Sequence, residues 1–210
     1  MTGDCTLECW LKIETLSSTL GVNQQFINKR SSTGAPNVYS YRTFTSTSDD
    51  RYYFAYSNNG TQVSTGSTND LLTAGVWTHL AVAFYAAAGS ALFYKNGTVN
   101  GTFTGGSTSI EDGTAPLQIG ATAGTVSPVE FMDGLIDEVR IWNVTRTAAQ
   151  IAANYNIEIG TQTGLIAYYK LNNDYVDTAN ANNMAAAGAP VFSNDIPFDR
   201  SSSGLQNKFW

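Results

Sequence analysis

The chain has 210 residues, 13% of them charged, with a formal net charge of −6 and one histidine. Lys and Arg form no cluster, so the phosphate contacts that nucleic-acid binding depends on are missing and nucleic acid is excluded as a partner. No run of 18 apolar residues exists, and the first twenty residues lack a basic start followed by an apolar block, so neither membrane insertion nor a signal peptide is expected. The piece reads as a module of a larger multidomain protein.

Abundant Thr, Ser, Asn and Gly point to many strands joined by turns, hence an all-β chain, and the even spread of aromatics favours one large domain. The first strand runs from Cys5 to about Glu14. Cys5 and Cys9 lie four apart in it, ~13 Å at ~3.3 Å per residue, too far to bond to each other. They share parity with Leu7 and Leu11, which predicts buried thiols that act as small apolar fillers. A short strand, Gln25 to Lys29, follows, then a loop with Gly34 and Pro36. Asn37 to Phe44 and Arg51 to Tyr56 are strands rich in Tyr and Phe, the second closed by the turn Asn58-Asn59-Gly60. Trp77 to Tyr85 places Leu80, Val82 and Phe84 on one face, and Ala91 to Lys95 precedes the hairpin signal Asn96-Gly97. Leu117 to Gly120 is a short strand.

In Met132 to Trp142, strict alternation puts Leu135, Val139 and Ile141 on one face with Asp137, and Glu138 and Arg140 on the other. An acid on an apolar face needs a compensating partner, unless the strand's end is wet. Thr145-Arg146-Thr147 supplies N-caps for a single short helix, whose stripe is Ala148, Ile151, Ala152 and Tyr155. Gly164 to Leu171 returns to strand, Asp174 to Pro190 is rich in turns, and Val191-Phe192 is a candidate last strand. Residues 200–210 read as a linker or edge extension. Asn59, Asn96, Asn100 and Asn143 each open a sequon, which matters only in a eukaryotic secretory host.

Thr6-Leu7-Glu8-Cys9-Trp10-Leu11-Lys12, Trp77 to Val82, Leu92 to Gly97, Leu117 to Gly120 and Gly134 to Trp142 occur in an order that resembles laminin-G-like, or concanavalin-A-like, jelly-roll domains. The resemblance implies a two-sheet antiparallel jelly-roll sandwich, with the domain over residues 1–199. The family usually begins with a Gly-Leu-x-Ala-Tyr strand and an Asp-x-x-Gly-x-x-Asn-Asn turn. Here that element comes last, as Gly164 to Leu171 and Asp177 to Asn183, with Asn180 at the usual Gly. Either the domain is cut in permuted frame, or the tail is the start of a following repeat that folds back.

Among relatives the resemblance implies sugar-binding modules, adhesion domains and glycoside hydrolases. A retaining hydrolase needs carboxylates ~5 Å apart across the scissile bond, and no Glu-x-Asp-x-Glu row occurs. His79 has no Ser, Cys or Asp motif nearby and reads as a structural ring bonded to a backbone carbonyl beside Trp77. Tyr39, Tyr41, Tyr52 and Tyr53 are either a platform for a sugar face or sandwich core. The expectation is a non-enzymatic, extracellular carbohydrate-binding module whose partner is a glycan. The alternative is an adhesion or spacer module that contacts a cell-surface protein.

The same resemblance implies that the Asp177 turn packs against the start of the Asp137 strand, so that the two carboxylates face each other. Like charges so placed are costly without a cation between them. A structural calcium ion held by Asp137, Asp177 and the Asn182 carbonyl is therefore expected, with a hydrogen-bonded turn without metal as the other reading.

Overall fold

The computed structural model describes residues 1–30, 39–58, 61–122 and 130–200, with the backbone alone for residues 39 and 61–65. Along the chain run β1 (Cys5–Ile13), the helical turn α1 (Ser17–Leu20), β2 (Gln24–Arg30), β3 (Tyr39–Thr45), β4 (Tyr52–Asn58), β5 (Thr61–Ser67) and β6 (Thr78–Tyr85). A 3-10 turn (Ala86–Ala88) leads to β7 (Ser90–Lys95), β8 (Thr98–Phe103), β9 (Gln118–Ile119), β10 (Gly134–Trp142), α2 (Ala148–Asn154) and β11 (Leu165–Tyr169). They form two antiparallel sheets, a six-stranded one ordered β11-β10-β1-β6-β7-β8 and a five-stranded one ordered β5-β4-β3-β2-β9. This is the all-β jelly-roll sandwich expected. β5 and β8 carry too little apolar pattern to be read as strands from sequence, and the loop at Gly34 and Pro36 and the Asn59-Gly60 turn lie outside the described residues.

Between the sheets, Leu7, Cys9, Leu80, Val82, Phe84, Phe93, Val139 and Ile141 meet Phe26, Tyr52, Phe54 and Tyr56, all at most 2% exposed. The Phe84 ring centroid lies 4.8 Å from that of Tyr56 and 5.9 Å from that of Phe54, and Phe93 meets Tyr52 edge-on. Cys5 and Cys9 are free and buried among these groups, as their parity predicts, and burial pushes the Cys5 thiol up to about 12. The Asn96-Gly97 hairpin forms with both residues at positive φ, the backbone that a two-residue type I′ turn requires. Thr147 caps α2 in a reciprocal box with Gln150, and Ile151 is its buried anchor.

Three expectations need correction. Val191-Phe192 is not a strand: Val191 is 86% exposed, and Phe192 is held by its ring against Tyr175. Arg200, placed at the start of a linker or edge extension, is keyed into the fold; residues 201–210 lie outside the described residues. The third correction concerns β10. Glu8 pairs with Arg140, but two residues on along β1 Trp10 pairs with Asp137, so β10 carries one extra residue there. Glu138 sits at φ 53°, the left-handed backbone of a bulge. The bulge breaks the alternation on which the sequence reading rested. Ile136 now faces the core with Val139 and Ile141, while Leu135 and Asp137 turn to the outer face with Glu138, Arg140 and Trp142.

Candidate functional site

The outer face of the six-stranded sheet is covered by α2 and the segments after it, so its polar side chains are buried. Trp142 Nε1 donates to Glu8 Oε1 at 2.7 Å, and His79 Nε2 lies 3.3 Å from Glu8 Oε2. Burial raises a carboxylate, yet His79 and Arg140 overcome it here and hold Glu8 near 2, while burial keeps His79 below its ordinary value and neutral. His79 is thus structural, with a carboxylate partner in place of the expected backbone carbonyl. Arg140, 1% exposed, donates from Nη2 to Glu138 Oε2 at 2.6 Å and from Nη1 to the Asn154 carbonyl at 2.9 Å. Tyr168 OH donates to the same Glu138 oxygen at 2.5 Å.

On this face Asp137 accepts from Arg200 Nη2 at 2.5 Å and from the Glu138 N–H at 2.8 Å. Asp177 is elsewhere. It bridges to Tyr169 of β11, and β11 stands between it and β10. Its Oδ1 accepts from the N–H groups of Tyr168 and Ala179, both at 2.9 Å, and its Oδ2 from Asn182 N and Nδ2. Burial favours the neutral acid, but these donors outweigh it and keep Asp177 below the usual carboxylate range. The Asn182 carbonyl accepts from Tyr169 OH at 2.9 Å.

Asp177 and Asn182 therefore meet as acceptor and donor, and Asp137 does not face Asp177. This differs from the arrangement expected for the calcium set of Asp137, Asp177 and the Asn182 carbonyl. The oxygens that were to ligate the cation point at N–H donors, at a guanidinium or at the Tyr169 hydroxyl, an arrangement that does not fit a hard cation. The Asp177 turn is held by its own hydrogen bonds.

The outer face of the five-stranded sheet has the opposite character. Strand registers place two rows of side chains across it: Gln118, Asn28, Arg42 and Ala55 in one, and Gln25, Phe44, Tyr53 and Ser67 in the other. The Phe44 and Tyr53 rings stack with centroids 5.3 Å apart, the Arg42 guanidinium lies 4.1 Å over Phe44, and Tyr53 OH donates to Asp49 Oδ2 at 2.6 Å. Gln25 is fully buried, and neither end of its amide has a hydrogen-bond partner. Asn28 donates to the Ala121 carbonyl, but its Oδ1 has no partner, nor has the buried Thr122 hydroxyl one residue along. Each such orphan costs about 1–3 kcal/mol. Tyr53 is half-buried at the rim.

Of the four tyrosines considered, Tyr41 and Tyr52 are core, Tyr53 faces outward, and the Tyr39 side chain lies outside the described residues. The sequence reading missed Gln25, Asn28 and Arg42. Their signal was there: an amide pair in a short strand and a lone cation among aromatics.

A cleft of about 1110 Å³ opens at one edge of the sandwich, lined by Leu117, Ile119, Ile136, Ile166 and Tyr169 and bordered by residues 182–193.

The chain matches the family described as the concanavalin A-like lectin/glucanases superfamily over residues 1–152. No curated protein gives a match. Among solved structures it is similar to a Bacteroides ovatus protein assigned as carbohydrate-binding, with TM-score 0.63, 19% identity, and coverage of 80% of this chain and 45% of that one. It is also similar to domain 4 of an extracellular arabinanase from Geobacillus stearothermophilus in complex with arabinotriose, with TM-score 0.54, 21% identity and coverage of 74% and 68%. A third is the CBM40 module of the Ruminococcus gnavus IT-sialidase bound to α2,3-sialyllactose, with TM-score 0.57, 9% identity and coverage of 73% and 83%. At such identities these likenesses establish the fold alone. The chain spans less than half the length of the Bacteroides protein.

Proposed function

Because the chain belongs to the concanavalin A-like lectin/glucanase superfamily, we propose that it is a non-catalytic glycan-binding module of a larger extracellular protein, with its sugar site on the outer face of the five-stranded sheet. The observation that carries this reading is the row of Gln25, Phe44 and Tyr53, an orphaned amide beside an aromatic stack. Sugars offer hydroxyls to amides and apolar ring faces to aromatics, and this row holds both kinds of group, with Gln25 and Phe44 buried and Tyr53 partly exposed. Three structural neighbours carry carbohydrate names or ligands, which supports the reading at the level of the fold.

Three acids in and before β10, Glu130, Asp137 and Glu138, support a role without catalysis. Glu138 and Asp137 are committed to Arg140 and Arg200, and Glu130 Oε2 to Arg30 Nη1 at 3.0 Å. A glycosidase needs one carboxyl free to give a proton and a second to attack or to activate water.

The test is retention of the purified chain on a glycan panel, alone and as Tyr53→Ala. Retention on a glycan class that falls at least about tenfold in Tyr53→Ala, with unchanged melting, supports the site. Retention on no glycan together with capture of a cell-surface protein gives the adhesion reading instead. Reducing-sugar release that disappears in Glu138→Gln would make the chain an enzyme.

A further inference from the structure

The bulge in β10 sets two consecutive carboxylates, Asp137 and Glu138, on one buried face, and Glu158, from the segment after α2, joins them. Each keeps one oxygen for a partner within the sheet layer and turns the other the same way. Asp137 Oδ1 accepts the Glu138 N–H, Glu138 Oε2 takes Arg140 and Tyr168, and Glu158 Oε2 takes Lys170 Nζ at 2.7 Å. The remaining three oxygens surround Arg200, Glu158 Oε1 also accepting from Asn172 Nδ2 at 2.9 Å. Its Nη2 lies 2.5 Å from Asp137 Oδ2 and 3.8 Å from Glu138 Oε1, its Nε lies 3.4 Å from Glu158 Oε1, and its Nη1 donates to Asn172. Glu138 is 1% exposed and its Oε1 has no hydrogen-bond partner, so a buried acceptor stands aimed into this pocket.

Arg200 ends a strap that begins at Met184. Among the described residues the backbone of 184–193 is tied to the body through Met184 N to the Tyr175 carbonyl, and most of its side chains are exposed. Beyond it, Asp195 accepts from Trp77 Nε1 at 2.7 Å and from Lys12, and the Phe198 ring meets Trp10 at 5.9 Å. The strap borders the apolar cleft and is fastened at its two ends. Sparse backbone bonding between the fastenings makes this a segment that opens cheaply.

We propose that the pocket of Asp137, Glu138 and Glu158 is a guanidinium receptor, and that Arg200 is its tethered ligand, closing the strap beside the cleft. A planar fork with donors on three nitrogens reaches oxygens on three sides, whereas a compact ammonium cannot span them.

Chemical rescue at pH 8 tests the assignment. Arg200→Ala should melt below the wild type, and ethylguanidinium should restore part of the loss saturably. For a dissociation constant of about 1 mM, ~10 mM gives a rise of ~3–6 °C for a domain of this size. Equal ethylammonium or sodium chloride should restore less, and Arg200→Ala/Asp137→Asn should not respond. An Arg200→Ala protein that melts like the wild type, or that responds equally to all three salts, overturns the proposal. Should Arg200→Ala fail to fold, amide hydrogen exchange of the wild type decides. Residues 184–195 should exchange faster in ethylguanidinium than in sodium chloride, and equal rates overturn the proposal.

Discussion

The two outer faces of the sandwich both bury polar side chains and partner them differently. On the six-stranded sheet, the carboxylates of Glu8, Asp137, Glu138 and Glu158 are each met by a cation, a ring N–H or a phenol from within the chain. On the five-stranded sheet, the Gln25 amide, Asn28 Oδ1 and the Thr122 hydroxyl meet nothing. Carboxylates paired with cations, a ring N–H and a phenol specify their own fold even where single atoms such as Glu8 Oε2 and Glu138 Oε1 lack a hydrogen bond, whereas a neutral amide with no partner at either end costs stability that a ligand can return. The carboxylate-rich face thus reads as architecture and the amide-and-aromatic face as site, against the intuition that function follows the acids.

The largest test of the contrast is Arg140→Ala. It strips the buried Glu138 and Glu8 of their shared cation, and loss of one partner of a buried pair costs about 3–5 kcal/mol. Urea unfolding at pH 7 should show that loss with glycan retention proportional to the folded fraction. A loss under about 1 kcal/mol would mean that water reaches the network.

Gln25→Met should do the reverse. Removing an orphaned amide for an apolar side chain of similar length should add about 1–2 kcal/mol to stability, read as a higher Tm, while glycan retention falls. A destabilised variant would mean that the amide has a partner, and unchanged retention would move the site off this row.

Titration sharpens the comparison within the charged face. Burial, outweighing Arg200, pushes Asp137 up to about 7, whereas Asp177 is held below its ordinary range by N–H donors. The signs differ. A raised acid favours the folded state when protonated, so stability from Asp137 grows as pH falls from about 7 toward the unfolded value. A lowered acid contributes above its unfolded value, and Asp177 loses that contribution as pH falls through its folded value. Melting curves between pH 5 and 8 should therefore flatten in Asp137→Asn, whereas Asp177→Asn should change the profile only in stronger acid. Equal profiles for wild type and Asp137→Asn would remove the titration.

Calcium should have the smallest effect. With both Asp177 oxygens saturated by N–H donors, Tm in ~10 mM calcium and in chelator should agree within about 1 °C. A rise of ~3–10 °C, abolished in Asp177→Ala, would restore the cation between the carboxylates.

Much of the fold was legible from local pattern. Period-two alternation set β1, β6 and β7, the Asn96-Gly97 pair set its hairpin, and the Thr147 cap with the Ile151 stripe set α2. Parity correctly buried Cys5 and Cys9. The candidate sites were far less legible. A single extra residue at Glu138 reversed the facing of Asp137, and no composition or spacing announces a left-handed glutamate inside a strand.

The sequence by itself determined which segments become strands, because alternation and turn chemistry act over a few residues. Only the tertiary structure decided partners. Arg200 reaches Asp137 across 63 positions, Trp142 reaches Glu8 across 134, and Gln25 is left with none. Whether a buried polar atom is satisfied depends on groups that strand order and register bring beside it, which is a property of the packed sheet and not of its neighbours in the chain.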